Sequence, residues 1–151
     1  MGAKAERAKT LFQQGYNCAQ SVALAFCEDF GFTKEQMARL VSGYGGGVGR
    51  MRELCGALLG AVLVCNLHNG YTSPKDLDGK AAHYDRIQKL CGAFREEMGT
   101  CLCRELLGRP ADGNPVPDKR DKAYYETRPC PRAVETAARL AQAYLNEHPA
   151  T

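Results

Sequence analysis

Apolar residues recur along most of this chain three and four positions apart, the period of an amphipathic helix, and period-two alternation is nearly absent. Strong helix formers fill those segments, and Gly or Asn punctuates them. The pattern predicts an all-α, compact single-domain bundle of about five to six main helices, with a glycine-rich loop ahead of a central buried helix. A first helix runs from Ala3 to about Gln14 and closes at Gly15. A second starts from an Asn17 N-cap and continues to about Phe30, before Gly31. Thr33 with Gln36 three residues on makes a capping box for a third helix, which reaches about Ser42.

The loop Gly43-Tyr44-Gly45-Gly46-Gly47-Val48-Gly49 then breaks the pattern. Beyond it, Met51 to about Leu67 is apolar almost all round, as a helix buried at the centre of a bundle would be. Ser73-Pro74 with Asp76 reads as an N-cap followed by Pro at the first helical position, opening a long helix to Met98 that Gly99 stops. A short helix follows over Cys103 to Leu107, before Gly108. Residues Arg109 to Pro129 turn to Pro, Gly, Asp, Asn and charge, predicting a surface connection with a turn of helix near Lys122 to Glu126. The last helix starts at Pro131 and ends near His148, with Val134, Ala137, Ala138, Leu140, Ala141, Tyr144 and Leu145 on one face.

A chain of 151 residues with 44% hydrophobic content suits one domain, here residues 1–151. Twenty Lys and Arg against 17 Asp and Glu leave a formal charge of +3 with no basic block, so nucleic acid is not indicated. The first residues carry no apolar leader, and Glu6 stands where a myristoylation signal needs Ser or Thr. The longest apolar run, Leu54 to Cys65, is well short of the roughly 20 residues of a membrane span. The expected place is the cytoplasm.

Eight cysteines change the picture. In a reducing compartment that number points away from structural disulfides and toward metal ligation, an iron–sulfur cluster or thiols that cycle. No Cys-x-x-Cys occurs, which argues against a zinc ribbon, a thioredoxin-type site and a bacterial ferredoxin run, and no His follows a cysteine as covalent haem requires. A shared site must therefore draw on distant segments. Cys18 and Cys27 fall nine residues apart on one predicted helix, about 13 Å along its axis, and cannot share one ion; the same holds for Cys55 and Cys65. Cys18 heads an inward stripe with Val22, Ala25 and Phe26, and Cys55 lies just past the glycine loop. Cys103 and Cys130 stand at helix starts. There the helix dipole, with Arg104, Arg128 and Arg132 close in sequence, is expected to lower the thiol pKa and make thiolate the resting form.

The chain resembles the C_GCAxxG_C_C family of redox-active proteins. The resemblance covers nearly the whole sequence. It rests on Tyr16-Asn17-Cys18-Ala19-Gln20-Ser21-Val22, on the glycine loop running into Gly49-Arg50-Met51, on Cys55-Gly56-Ala57-Leu58-Leu59-Gly60, on Cys103-Arg104-Glu105-Leu106-Leu107-Gly108 and on Cys130-Pro131. It implies that Cys18, Cys55, Cys103 and Cys130 are the redox or metal-binding set. Cys27, Cys65 and Cys91 are then extras, and Cys101 is an auxiliary that could reach the same site or pair with a neighbour. The family is similar to the non-haem part of split-Soret cytochromes. That likeness implies an iron–sulfur cluster and an oxidoreductase or electron carrier serving a redox partner protein.

Two further readings compete with the cluster: a thiol/disulfide pair or tetrahedral zinc site formed by the same cysteines, and a helical interaction module whose cysteines only pack. The glycine loop lacks Gly-Lys-Ser/Thr and a complete G-x-G-x-x-G, so close backbone approach explains it better than phosphate binding. It is expected to fold over the Cys55 end of the central helix, with Gly45, Gly46, Gly47 and Gly49 near the site. Gly56 and Gly60 make a flat helix face, and with the apolar helices they point to a homodimer. His68 and His83 are expected at a helix end or on the surface, and His148 in the tail.

Overall fold

The computed structural model describes residues 2–151; Met1, the first residue of the leader reading, lies outside them. Among the described residues there are eight α-helices and no strand, and six of the helices have seven residues or more. Helix α1 (Ala3–Gln13) ends at Gln14, ahead of Gly15 at φ 106°. Helix α2 (Cys18–Leu24) opens on a capping box in which Asn17 accepts from the Gln20 N–H and the Gln20 side chain accepts from the Asn17 N–H.

The long second helix expected to reach Phe30 is divided. The Lys4 ammonium lies over the Phe26 ring and donates to the Ala25 carbonyl at 3.1 Å, supplying from outside a partner that a continuing helix would supply itself. The chain then tightens into a 3-10 turn over Cys27–Phe30 that Gly31 closes at φ 72°. Helix α3 (Lys34–Leu40) has the expected Thr33/Gln36 box and stops before Ser42, where a second 3-10 turn, Ser42–Tyr44, leads into the glycine loop.

Helix α4 (Gly56–Asn69) starts five residues later than the apolar pattern predicts. Leu54 is instead bridged antiparallel to Leu102: the Cys55 N–H donates to the Cys101 carbonyl at 2.8 Å and the Cys103 N–H to the Glu53 carbonyl at 2.7 Å. A non-local bridge of this kind leaves no trace in hydrophobic periodicity. Helix α5 (Leu77–Met98) is capped by Asp76, not Ser73; the Asp76 carboxylate accepts from the Gly79 N–H at 2.9 Å. Asp76→Ala is therefore expected to lower the urea-unfolding free energy by about 1 kcal/mol, while Ser73→Ala stays within about 0.5 kcal/mol.

Helix α6 (Cys103–Leu107), helix α7 (Lys122–Thr127) and helix α8 (Cys130–Glu147) fall where the turn and cap residues place them. Helix α4 packs between α2 and α8, α1 lies across α8 and α2, and α5 covers α8 and α4. Phe12, Leu24, Phe26, Met37, Leu58, Val64, Phe94 and Val134 fill the core between them. A Cβ at Gly60 would stand 2.7 Å from the Ala19 carbonyl oxygen, so the small-residue face of α4 is used against α2. That removes the argument for a homodimer drawn from Gly56 and Gly60.

His83 is not on the surface. It is buried, hydrogen-bonded to the Asn66 side chain at 2.7 Å and flanked by Arg86 at 3.1 Å; burial, then Arg86, lowers its pKa. His68, at the end of α4, pairs with the His148 carbonyl. No described helix is long and apolar enough to cross a membrane.

Candidate functional site

All four singled-out cysteines stand at helix openings. Cys18, Cys103 and Cys130 are the first residues of α2, α6 and α8, and Cys55 is the N-cap of α4. Helix packing turns the four onto one cavity of about 360 Å³. The two backbone bonds of the Leu54–Leu102 bridge pair Cys55 with Cys101 and Cys103 with Glu53, so Cys55 and Cys103 stand diagonally across it. Cys18 lies next to Gly56, where a Cβ would stand 2.5 Å from its sulfur. A charge on Cys18 would be felt at both Cys55 and Cys130, and one on Cys103 at Cys18.

The glycine loop forms a second wall. From Gly46 to Arg50 every residue is left-handed, with φ between 56° and 69°, and Arg52 follows at 59°. Val48, Arg50 and Arg52 adopt this conformation although they carry side chains, at roughly 1–2 kcal/mol each. The coil is held by bonds such as Glu53 N–H to the Gly47 carbonyl at 2.9 Å and Gly49 N–H to the Gly43 carbonyl at 2.9 Å. The loop covers the Cys55 end of α4, where a Cβ at Gly56 would stand 2.6 Å from the Tyr44 carbonyl oxygen, and it also approaches Cys18 and Cys103. The Gly46 N–H reaches the Cys18 sulfur, and Gly47 presses on the Cys103 side chain. The strained coil carries Arg50 and Arg52 to the cavity wall.

The sequence reading set Arg128 beside Cys130 but missed Arg50, Arg52 and Arg120. Arg50, Arg52, Arg120 and Arg128 line the cavity with the four thiols. They come from two distant segments, so the modest overall charge gave no sign of them; only their assembly by the fold makes a basic wall. Arg52 is buried and its guanidinium lies 3.8 Å from the Cys103 sulfur. Asp118, on the connection after α6, pairs with Arg128, with Arg109 at 3.0 Å, with Arg50 at 3.2 Å and with Arg52 at 3.7 Å. The Arg128 hydrogen bond, with these neighbours, holds the Asp118 carboxyl below its usual range. Arg120 donates to the Phe12 and Tyr16 carbonyls and lies over the Phe12 and Tyr124 rings.

One expectation about the thiols is reversed. Burial, then Cys18 and Cys103, push the Cys130 thiol up to about 11, against the pull of Arg128 and Arg120. Desolvation exceeds the helix dipole because the thiolate would be enclosed among other thiols. Burial likewise raises Cys18 and, with the nearby Cys18, raises Cys55. Arg132 turns away to the Glu97 carbonyl and Arg104 to Glu53 and the Arg52 carbonyl.

These shifts set a pH dependence. An unfolded thiol ionises near about 8.5, so reduced, metal-free protein keeps the full contribution of protonated Cys130 below that pH. The contribution is lost as pH rises from there toward about 11. Urea midpoints should fall over that interval, and fall less steeply in Cys130→Ser.

The other cysteines lie elsewhere. Cys27, Cys65 and Cys101 are buried outside the cavity, and Cys91 is half-buried on α5. Cys101 does not line the cavity, though its carbonyl accepts from the Cys55 N–H. No group of three or more His, Cys, Asp or Glu among the described residues is close enough to share one metal ion.

Residues 16–144 match the family described as "Putative redox-active protein (C_GCAxxG_C_C)", and the chain belongs to that family. No curated protein and no solved structure matches it.

Proposed function

We propose that Cys18, Cys55, Cys103 and Cys130 ligate an iron–sulfur cluster and that the protein carries electrons to or from a partner. The observation that carries this is one cavity with four cysteines and four arginines on its walls. The donor set fits such a group. All-thiolate ligation concentrates negative charge, and the guanidiniums of Arg50, Arg52, Arg120 and Arg128 offset it. A cluster also spreads its ligands over several irons, which suits thiols that do not gather around one point. A single tetrahedral zinc would need them closer.

Raised pKa values leave Cys18, Cys55 and Cys130 protonated near neutral pH, and ligation and exchange alike require the thiolate. Ligation removes those protons and gains the bond energy in return, with loading that rises with pH. When bound, the cluster supplies one-electron redox chemistry. Around it, the Gly46 N–H toward Cys18 and the Arg52 guanidinium toward Cys103 would stabilise charge on the sulfurs.

Protein purified without oxygen and assayed for iron, acid-labile sulfide and visible absorbance tests the reading. Bound iron with matching sulfide and a visible band is expected. Colourless, iron-free protein that reversibly loses two of these four thiols on oxidation would instead establish a dithiol, and stoichiometric zinc a structural site.

A further inference from the structure

Outside the cavity a second group of thiols has formed. Gly99, left-handed at φ 87°, ends α5 and turns the chain back along it, which returns Cys101 to the level of Cys91. The Cys101 thiol donates to the carbonyl oxygen of Cys91 at 3.4 Å. A charge on Cys101 would be felt at Cys91, and one on Cys91 at the fully buried Cys65. Cys91 is half-buried, the least buried of the three.

We propose that Cys91 and Cys101 form a second redox site, a cofactor-free dithiol that a small-molecule disulfide oxidises to an intramolecular disulfide. The half-buried Cys91, as its thiolate, attacks one sulfur of the oxidant; its bond to that sulfur forms as the oxidant's S–S bond breaks, and the leaving thiolate takes up the proton Cys91 sheds. Cys101 then attacks the Cys91 sulfur and expels the second small thiol, which takes the Cys101 proton. Two cysteine thiols give up two electrons and two protons, and one disulfide becomes two thiols. The Cys101 carbonyl holds the Cys55 N–H and Cys103 follows two residues on, so the new bond would tether α5 to the segment that carries half of the four-cysteine cavity.

Protein purified without oxygen is incubated with oxidised glutathione, its free thiols are alkylated, and it is digested with trypsin without reductant. The peptide of residues 90–95 should be found joined to that of residues 96–104, with fragmentation placing the bond at Cys101 and not Cys103. The link should vanish with dithiothreitol and be absent from Cys91→Ser and Cys101→Ser. Both peptides alkylated throughout, a glutathione adduct that persists on Cys91, or a bond from Cys91 to Cys65 or Cys103 would each overturn the proposal. Iron and absorbance measured on the same samples keep the two sites apart. A missing link with iron intact counts against this dithiol alone, and a link formed in iron-free protein counts against the cluster alone.

Discussion

Serine at Cys18, Cys55, Cys103 or Cys130 is expected to remove bound iron and the visible band, while serine at Cys27 or Cys65 leaves both at the wild-type level. The first four line one cavity; a hydroxyl there is a far weaker ligand for iron than a thiolate, and three thiolates leave one coordination position open. Cys18 and Cys130 should be the most sensitive, because each sulfur lies within electrostatic reach of the other three. Cys27 and Cys65 are buried in the apolar core, where a serine hydroxyl without a partner costs about 1–3 kcal/mol of stability. Iron per chain and urea midpoints on all six variants separate the two classes. Equal losses of iron across the six, or a wild-type spectrum in Cys55→Ser, would show that the cavity is not the ligand set.

The parts of this arrangement that were legible in sequence are those encoded locally. Asn17 with Gln20 and Thr33 with Gln36 announce their helices because capping needs only residues three apart. Gly99 and Gly108 mark helix ends because both sit left-handed at the turn. The candidate cysteines were found in the same way, by their places at helix starts and by a family resemblance carried on short stretches. What sequence could not give depends on contacts between distant segments. The Leu54–Leu102 bridge delays α4, and the Lys4 contact with Ala25 ends α2 early. The Cys130 thiol pKa goes the opposite way for the same reason. A helix start is visible in sequence, whereas the burial that outweighs its dipole at Cys130 is made by three other segments closing over it.

The arginine wall shows the same division between local and assembled properties, and so does the glycine loop. Seven residues with five glycines predict close backbone approach, but not which glycine is indispensable. The structure distinguishes them. At Gly47, φ is 69° and a Cβ would stand 2.6 Å from the Cys103 Cβ, 2.8 Å from the Glu53 nitrogen and 2.9 Å from the Arg52 Cα. Two of those atoms are backbone and cannot step aside as a flexible side chain would. Gly47→Ala is therefore expected to lower stability by about 2–4 kcal/mol, from left-handed strain together with overpacking. At Gly49 φ is 56° and nothing lies within 4 Å, so Gly49→Ala should show the strain alone, about 1–2 kcal/mol. Gly43 has neither constraint, and Gly43→Ala should stay within about 0.5 kcal/mol. Iron retention should follow contact and not strain: Gly47→Ala displaces Cys103 and loses iron, whereas Gly49→Ala keeps it despite its lower urea midpoint. Full iron in Gly47→Ala would mean that the loop's approach to Cys103 does not position that thiol.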